Sequence, residues 1–536
     1  MNLQPIHKAL ISVSDKTDII PLAQALKNYG VEIISTGGTK KTLEEAGIEV
    51  TDIQEVTGNP EAFGGRMKTI SFNIESALLF DRDKDKEEAE KLAISPIDLV
   101  VCNLYPFEKV LTNGGNFDEL IENIDIGGPT MIRSAAKNFK YVSVITSPNE
   151  YEELISELEQ YKGKTTFNFR KKLMAKAFNH TADYDALIAQ TMDRENGEKS
   201  VRFHFEKGKD LRYGENSHQK ATFYKQKGIP NSLYELKFLH GKALSYNNIL
   251  DISGAVASVK ELEKSGVAVV KHSNPCGMTQ ASNQKMALEK AWQGDPVSAF
   301  GSIIAFNERL ELDTVKFFNL DAEKAKDRKF IEVIIAPEIT PEALEYLQLH
   351  KNLRVLEYQP NKLPQNPDYR MLNGTLLAQD YDDKLYDKLE KMTDEDFSTN
   401  KELIEFGLKA IKNIKSNAIV IVGEKQGAYY LMGMGAGQPN RLIATKLALS
   451  KAKDFIRQDH KGNAEEFENF YRQEIGKAYL ISDAFFPFSD NVELAAAEGI
   501  KNIVQPGGSI RDKSVIETAN KLGLNMIFTG TRHFKH

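Results

Sequence analysis

Short apolar segments alternate with amphipathic segments over residues 8–150, and no other feature limits the fold of the chain as strongly. The segments typical of strands are Ala9–Val13, Val31–Ile34, Ile97–Cys102 and Tyr141–Ile145, and those typical of helices are Thr17–Tyr29 and Thr39–Ala46. Strands that alternate with helices through short glycine-marked turns form a parallel, doubly wound sheet. We therefore predict an α/β domain that binds its ligand at the carboxyl ends of its strands.

Polar and glycine-rich segments follow the predicted strands at this edge. They are Ser14-Asp15-Lys16, Ser35-Thr36-Gly37-Gly38-Thr39, Gly64-Gly65-Arg66-Met67-Lys68-Thr69, Cys102-Asn103-Leu104-Tyr105-Pro106-Phe107 and Asp125-Ile126-Gly127-Gly128. Small residues let backbone N–H groups approach an anion, hydroxyls add donors, and a helix N-terminus adds positive potential. Each segment alone is compatible with an ordinary turn, whereas the five together favour a phosphate site.

Length, charge and cysteine content limit the class of protein. The chain has 536 residues, more than the roughly 250–300 that one core supports, so we expect at least two domains and three compact lobes. Its net charge of −7 argues against a nucleic-acid or anionic-membrane surface, because both need a basic face. Two cysteines, Cys102 and Cys276, exclude a disulfide framework and a Cys-rich zinc site, and they favour a cytoplasmic compartment. We expect neither a signal peptide nor a membrane span.

A polar segment over residues 191–200 predicts a linker, and the pattern changes after it. Gly266–Val270 is typical of a buried strand, and it leads directly into Lys271 and His272. We predict that the chain then turns within Asn274–Gly277, which places both titratable side chains at the edge of a sheet. Histidine exchanges protons near neutral pH, and a neighbouring lysine can hold negative charge. Taken alone, the pair is equally compatible with an ordinary loop.

The segment after residue 402 echoes the segment before residue 380, which suggests an internal duplication. Asn417–Val422 again resembles a strand, and Gly433–Gln438 is again a glycine-rich turn before a helical pattern. The phenylalanines of Phe485–Phe488 are typical of a core. Beside Asp490 they are also compatible with a sandwich for a flat heterocycle.

Taken in order over nearly the whole chain, these motifs are similar to those of one known family. The motifs that carry the resemblance are the five polar segments above, Arg212-Tyr213-Gly214-Glu215-Asn216, Lys271-His272-Ser273-Asn274-Pro275-Cys276-Gly277, Gly435-Ala436-Gly437-Gln438 and Ser482–Phe488. The chain resembles the bifunctional purine biosynthesis family that joins AICAR formyltransferase to IMP cyclohydrolase. The resemblance implies a doubly wound, methylglyoxal synthase-like domain over 1–197. Over 198–536 it implies two α/β lobes, cytidine deaminase-like and without zinc, that divide at about 380–402.

The resemblance also implies two reactions. The C-terminal domain would transfer a formyl group from 10-formyltetrahydrofolate, its co-substrate, to the 5-amino group of AICAR, which gives FAICAR. The N-terminal domain would close FAICAR to IMP with loss of water. The implied partners are AICAR, FAICAR, IMP and the folate rather than nucleic acids or membranes. A homodimer with formyltransferase sites at its interface, and no catalytic metal, are implied as well.

For formyl transfer, the resemblance implies that His272 accepts the proton of the attacking amine and that Lys271 holds the oxyanion of the tetrahedral intermediate. Asn417 matches a residue that orients the transferred group. The positions that match nucleotide-binding residues are Arg212, Tyr213, Gly301, Glu332, Arg441, Phe485 and Arg532. The positions that match folate-binding residues are Leu442, Asp490, Ser509 and Ile510.

For cyclisation, where proximity within one molecule supplies much of the rate, the resemblance implies Lys137 as the proton donor and acceptor. Lys68, Tyr105 and Asp125 would polarise the carbonyl and complete the network. The positions that match nucleotide-binding residues are Ser14, Asp15, Lys16, Thr36, Gly37, Gly38, Thr39, Arg66, Thr69, Cys102, Asn103 and Ile126.

The sequence departs from the family pattern at three places. Ile70-Ser71-Phe72 stands where the family has Leu-His-Pro, and we assign no role to Ser71. Glu332 replaces an aspartate, which keeps the carboxylate and adds one methylene. A few more residues than in the family separate Asn417 from Gly435, which weakens the match of Asn417 to its family position.

Two other functions are compatible with parts of the sequence. A zinc nucleoside deaminase would share the Pro275-Cys276 pair, but the cysteine count argues against it. A non-enzymatic nucleotide sensor would share the N-terminal pattern, whereas Lys68 and Lys137 favour chemistry. Turnover by the N-terminal part separates the sensor from the enzyme.

Overall fold

The computed structural model describes residues 2–60, 62–63, 66–364, 367–394 and 397–536. The chain forms two compact units, Met1–His204 and Phe205–His536. Within the described ranges, no helix is long and apolar enough to cross a bilayer.

The first unit alternates strands and helices along the chain, as predicted. Its strands are β1 (Leu3–Pro5), β2 (Lys8–Val13), β3 (Glu32–Ser35), β4 (Thr51–Asp52), β5 (Leu99–Asn103), β6 (Ser143–Ile145) and β7 (Lys164–Thr166). Its helices are α1 (Ile19–Asn28), α2 (Gly37–Glu45), α3 (Ile53–Thr57), α4 (Phe72–Leu79), α5 (Lys86–Lys91), α6 (Phe107–Thr112), α7 (Phe117–Glu122), α8 (Gly127–Lys137), α9 (Tyr151–Gln160) and α10 (Phe167–Glu195).

Five of these strands form one sheet in the order β4-β3-β2-β5-β6, and every neighbouring pair is parallel. The strands are short runs of β-branched and aliphatic residues, and Leu10, Ile34 and Val100 are fully buried. A parallel sheet covered by helices on both faces produces such uniformly apolar strands. The predicted doubly wound α/β domain is confirmed, and its strands β2, β3 and β5 end at one common edge.

The predicted linker over 191–200 is wrong in its first half. Helix α10 continues to Glu195 and is followed by Asn196 and by Gly197 with φ +75°. Residues 191–195 are polar, but they contain neither glycine nor proline, and polarity alone does not stop a helix. The chain leaves the helix only where a left-handed residue is available.

The second unit has more strands than the first, and most of its strand pairs are antiparallel. Its strands are β8 (Phe205–Leu211), β9 (Ala221–Gln226), β10 (Lys237–His240), β11 (Ser265–Lys271), β12 (Asn274–Ala281), β13 (Ser302–Phe306), β14 (Ile331–Ala336), β15 (Arg354–Glu357), β16 (Asp368–Leu372), β17 (Thr375–Gln379), β18 (Glu390–Lys391), β19 (Ile419–Lys425), β20 (Ala428–Gly435), β21 (Tyr479–Ser482), β22 (Asn502–Gln505) and β23 (Asn525–Phe528). Its helices are α11 (Tyr246–Val259), α12 (Gln284–Gln293), α13 (Pro296–Ala299), α14 (Leu312–Val315), α15 (Pro341–Leu347), α16 (Lys401–Ile411), α17 (Arg441–Asp459), α18 (Ala464–Ile475), α19 (Asp490–Ala497) and α20 (Asp512–Lys521).

Twelve of these strands form one mixed sheet in the order β10-β15-β14-β13-β11-β12-β20-β19-β21-β22-β23-β18. The β12–β20 pair lies at the centre of this sheet. Outward from that pair, the strands on the two sides follow the same order of elements. Each half has an antiparallel hairpin, β11–β12 or β19–β20, followed by three strands that run parallel to one another. The two hairpins have identical strand lengths and two-residue turns. This match supports the duplication that the sequence suggested.

The expectation of three separate lobes is wrong, because the two halves of the second unit share one sheet. Strands β12 and β20 pair antiparallel at the centre, through Thr279 with Tyr430 and Gln280 with Tyr429. The apolar cores on the two faces each contain residues from both halves. The chain therefore has two compact units rather than three.

The predicted turn at Asn274–Gly277 is also wrong, because these residues belong to β12. The turn consists of His272 and Ser273, whose φ angles are +53° and +59°. Positive φ at both central residues is the geometry that matches the right-handed twist of two strands in a tight hairpin. Lys271 pairs with Asn274 across this turn. His272 therefore lies at the tip of a hairpin and not at the end of an isolated strand.

Candidate functional site

A cavity of roughly 640 Å³ lies at the common strand edge of the first unit, where α2 and α8 also begin. Fourteen of the residues predicted for this domain line it: Ser14, Lys16, Thr36, Gly37, Gly38, Thr39, Arg66, Lys68, Thr69, Cys102, Asn103, Tyr105, Asp125 and Ile126. Gly64 and Gly65, from the same predicted set of motifs, lie outside the described residues. The carboxyl ends of parallel strands are where open α/β sheets bind ligands.

Two lysines lie over the glycine turn that opens α2. A β-carbon placed on Gly38 would lie 3.7 Å from the Nζ of Lys16, and one on Gly37 would lie 3.8 Å from the Nζ of Lys68. Gly37 has φ +51°, so a side chain there would strain the turn. Two ammonium groups beside a helix N-terminus form a strongly anion-binding corner.

Two predicted nucleotide-binding residues also fix the loops around the cavity. Thr39 accepts a hydrogen bond from the backbone N–H of Val13 at 3.1 Å and donates to its carbonyl at 3.0 Å. Asn103 accepts from the backbone N–H groups of Ser14 and Asp15 at 2.6 and 2.9 Å. Both residues line the cavity, and their contact with a nucleotide stays a prediction.

Asp15 and Arg66 also have protein partners. Asp15 is exposed and is absent from the cavity lining; backbone and side-chain hydrogen bonds from Thr17 lower the pKa of its carboxyl group. Arg66 forms an exposed ion pair with Glu122 at the rim of the cavity. Exposed pairs of this kind contribute little to stability, so an anionic ligand can replace Glu122 at small cost.

Asp125 also lines the cavity, just before α8 begins. Its Oδ1 accepts a hydrogen bond from the backbone N–H of Gly128 at 2.8 Å, and its own N–H donates to the hydroxyl of Tyr184. Burial raises the pKa of Asp125 despite the Gly128 hydrogen bond, which acts in the other direction. A β-carbon on Gly128 would lie 2.5 Å from Asp125 Oδ2, so glycine is required here. The site thus contains a fixed carboxyl group that exchanges its proton at a higher pH than an exposed one.

We expect the Asp125→Asn variant to be more stable than the wild type near neutral pH while losing cyclisation activity. A raised folded-state pKa means that the native state binds the proton more tightly, so the stability of the wild type falls as pH rises past the unfolded and then the folded pKa. Asparagine has no carboxyl group to ionise, so this loss of stability disappears. Its amide oxygen can still accept the hydrogen bond from the Gly128 N–H. The expected gain in unfolding temperature is about 2–4 °C per kcal/mol for a unit of this size.

Thermal unfolding at two pH values checks this prediction. At about pH 3, below the pKa of an unfolded aspartate, both states hold the proton and the two proteins should unfold at the same temperature. A difference that persists at low pH, or a less stable variant at pH 7, would contradict the assignment of the raised pKa.

Lys137 does not line the cavity. It is the last residue of α8 and is exposed, whereas the cavity lies at the first turn of that helix. Eleven helical residues span about 15 Å, so the two ends of α8 are well separated. The catalytic role implied for Lys137 stays a prediction of the resemblance alone.

The predicted formyl-transfer residues of the second unit meet at one edge of the twelve-stranded sheet. Lys271 donates through Nζ to the carbonyl of Phe300 at 2.8 Å, and His272 is exposed beside it at the hairpin tip. Asn274 donates to the carbonyl of His272 at 2.9 Å and accepts from the backbone N–H of Lys415 at 3.3 Å. The hairpin tip is therefore tied to the segment that leads into Asn417.

Asn417 is held by three hydrogen bonds that define the orientation of its amide. Its Nδ2 donates to the carbonyls of Gln438 at 2.8 Å and Pro439 at 3.1 Å, and its Oδ1 accepts from Arg441 at 2.6 Å. The extra residues that separate Asn417 from Gly435 do not disturb this contact, since Gln438 and Pro439 lie beyond them. Asn417 thus has a fixed position at the sheet edge.

Arg441 has protein partners for its guanidinium. It is 8% exposed, and its guanidinium forms an ion pair with Asp483, which is fully buried. Asp483 also accepts from the backbone N–H of Ala418 at 3.0 Å. Arg441 also donates to Ser482 and Asn417, and its role as a nucleotide contact stays a prediction. A buried arginine needs such a partner, and the sequence alone does not show which carboxylate supplies it.

The other predicted residues of this unit lie in loops, or in the first turn or first residues of a helix or strand. They are Arg212 and Tyr213 after β8, Gly301 before β13, Glu332 in β14, Leu442 at the start of α17, Phe485 after β21, Asp490 at the start of α19, Ser509 and Ile510 after β22, and Arg532 after β23. Glu332 accepts from Asn248 at 3.1 Å and pairs with Arg354 at 3.3 Å, so its carboxylate already has partners. Ile510 is fully exposed.

The phenylalanine cluster divides between core and surface. Phe486 is fully buried, Phe485 is half-buried, and Phe488 is exposed with the guanidinium of Arg511 4.5 Å from its ring centre. The core interpretation is confirmed for Phe486, and the sandwich for a flat heterocycle stays a prediction. In the part of the chain that the structure describes, no three His, Cys, Asp or Glu side chains gather so that they could hold a metal ion.

Sequence reasoning missed two aspartates that hold the second site. Asp483 fixes Arg441, as above, and Asp251 in α11 accepts from the backbone N–H of Ser273 at 2.7 Å. Asp483 directly follows the apolar strand β21, a position that could have indicated it. Asp251 lies within a helix, and nothing local distinguishes it from a surface residue.

Comparisons with known proteins agree with this architecture. Residues 18–130 match the model of the MGS-like domain, and residues 135–451 match that of the AICARFT/IMPCHase bienzyme. Proteins called bifunctional purine biosynthesis protein PurH are similar over 99% of this chain: 43% identical in Persephonella marina and 44% in Acetivibrio thermocellus, each over 100% of the relative. The protein of that name from Bacillus mycoides is 44% identical over 99% of both chains.

Proposed function

Because the chain belongs to the AICARFT/IMPCHase bienzyme family, we propose that it catalyses the last two steps of IMP synthesis, each in one of its units. The second unit transfers a formyl group from 10-formyltetrahydrofolate to AICAR. The first unit closes the resulting FAICAR to IMP with loss of water. One observation supports the proposal most directly: the polar residues that the sequence distributes over five motifs line a single cavity in the first unit.

For cyclisation, we assign phosphate binding to the corner of Lys16, Gly37 and Gly38. The ammonium group of Lys16 and the first N–H groups of α2 offer the donors that a phosphate monoester needs. Lys68, Asp125 and Tyr105 line the same cavity and are assigned to the reacting groups of the base. The carboxamide nitrogen attacks the formyl carbon of the same molecule, so the protein has to fold the substrate and move protons.

The proton steps of cyclisation fit Asp125. The attacking carboxamide nitrogen loses one proton, and the formylated nitrogen loses another as its C=N bond forms. The formyl oxygen takes up these two protons and leaves as water. Burial raises the pKa of the Asp125 carboxyl group, which makes it a better proton acceptor than an exposed carboxylate. Lys68 is placed to hold negative charge on the oxygen of the intermediate, as a positively charged group in a cleft does.

For formyl transfer, we assign the general base to His272 and the oxyanion contact to Lys271. The aromatic amine of AICAR is a weak nucleophile, so its proton has to leave as the new N–C bond forms. The C–N bond to the folate then breaks, and the folate nitrogen takes up a proton. Asn417, fixed by Arg441, orients the formyl group.

Further parts of the proposal rest on the resemblance. They are a first domain over 1–197, a second domain over 198–536 built from two cytidine deaminase-like halves, a cytoplasmic location, a homodimer, and catalysis without a metal. Arg212, Tyr213, Gly301, Glu332, Phe485 and Arg532 would contact the nucleotide, and Leu442, Asp490, Ser509 and Ile510 the folate.

A product assay on the full chain tests the proposal. With AICAR and 10-formyltetrahydrofolate, the protein should form IMP, and with synthetic FAICAR alone it should form IMP without the folate. Chromatography separates the two nucleotides. Formation of neither FAICAR nor IMP under conditions where the protein is folded would refute the proposal.

A further inference from the structure

Two residues of α11 contact the turn that carries His272, although neither belongs to any motif of the sequence analysis. Asp251 accepts a hydrogen bond from the backbone N–H of Ser273 at 2.7 Å and a weaker one from its hydroxyl at 3.4 Å. A β-carbon on Gly254 would lie 3.2 Å from the carbonyl oxygen of Ser273 and 3.3 Å from its Cα. Helix α11 therefore touches the turn at its backbone.

The turn needs such support, because its two residues adopt a backbone conformation that is unfavourable for them. His272 and Ser273 both have positive φ, and neither is glycine or asparagine. The equivalent turn of the second hairpin is Gln426 and Gly427, which also has positive φ and does contain a glycine. A non-glycine residue in this region costs free energy and persists only where its surroundings enforce it.

We propose that Asp251 is a positioning residue for formyl transfer, which fixes the His272 turn by accepting the Ser273 N–H while Gly254 lets α11 approach. This inference rests on the proposed role of His272. Two consequences follow from the contacts. The carboxylate acts as a hydrogen-bond acceptor and not through its charge, and the fit between α11 and the turn is as important as the hydrogen bond.

The Asp251→Ala variant tests the acceptor. We expect kcat for formyl transfer to fall about 10²-fold, the usual cost of a misplaced catalytic group, with the KM for AICAR changed less than threefold. Asp251→Asn keeps an acceptor oxygen without the charge, so it should retain at least ten times the kcat of Asp251→Ala. Ser253→Ala, an exposed change in the same helix, is the matched control. Thermal unfolding of each variant reports on folding, because cyclisation takes place in the other unit.

The pH profile separates positioning from an electrostatic effect on His272. If Asp251 only positions the turn, the acidic limb of kcat/KM lies at the same pH in Asp251→Asn as in the wild type. A shifted limb, or Asp251→Asn as weak as Asp251→Ala, would show that the charge acts and would overturn the proposal.

The Gly254→Ala variant perturbs the turn without removing a hydrogen bond. Alanine favours the helix by about 1 kcal/mol over glycine, so the unfolding temperature should not fall. The added methyl displaces the backbone of Ser273, and kcat should fall several-fold. Full activity in both Gly254→Ala and Asp251→Ala would refute the positioning role. If His272→Ala is also fully active, the role of His272 fails instead, and the two outcomes are distinguishable.

Discussion

Replacing His272 by alanine should reduce formyl transfer about 10²–10⁴-fold, the usual contribution of a general base, and leave cyclisation unchanged. The imidazole is exposed at the tip of the β11–β12 hairpin, between Lys271 and the segment that leads to Asn417. Its loss removes the acceptor for the amine proton but not the groups that bind the nucleotide. We therefore expect the loss in kcat, with the KM for AICAR changed little.

Two separate assays on the same preparation measure this effect. Formyl transfer is followed with AICAR and 10-formyltetrahydrofolate, and cyclisation with FAICAR alone. His7→Ala, an exposed histidine of the first unit, is the matched control and should be active in both. Formyl transfer at the wild-type rate in a folded His272→Ala protein would remove the general base from the mechanism.

Replacing Lys68 by methionine should have the opposite pattern, with FAICAR accumulating because cyclisation falls about 10²–10³-fold. The ammonium lies over Gly37 at the start of α2, where the developing oxyanion would be. Methionine fills a similar volume, so the cavity keeps its shape and loses only the charge. Formyl transfer in the second unit should continue and supply the intermediate.

When AICAR and 10-formyltetrahydrofolate are both supplied, Lys68→Met should accumulate FAICAR steadily and form little IMP. Lys41→Met is the matched control, because Lys41 is exposed in α2 and absent from the cavity lining. Equal rates of IMP formation in Lys68→Met and Lys41→Met would exclude Lys68 from the cyclisation site.

The first site was largely predictable because local patterns determine it. Alternating strands and helices define a parallel sheet, and its strand ends lie together, so the segments at Ser14, Thr36 and Asp125 had to meet. The function of individual side chains was less predictable. Thr39 and Asn103 carry donors and acceptors suited to a ligand, but the loops use them internally.

The second site was less predictable because contacts between distant parts of the chain determine it. Arg441 forms an ion pair with Asp483, and Ser273 donates a hydrogen bond to Asp251. The two residues of each pair are too far apart in sequence to form a local pattern. The hairpin turn was misplaced for a related reason. Asn274-Pro275 has the composition of a turn, but β12 accommodates the proline at a bulge, where the register shifts between Val269 and Val270.

The pairing of β12 with β20 determines whether the two halves of the second unit can be produced as separate proteins. These two strands lie at the centre of the sheet, and each would become an outer strand if the chain were cut near residue 390. An unprotected outer strand with unpaired N–H and C=O groups promotes aggregation and strand exchange. Either half made alone would therefore expose an unpaired edge strand. Truncations or gene fusions that separate the two halves should yield insoluble protein.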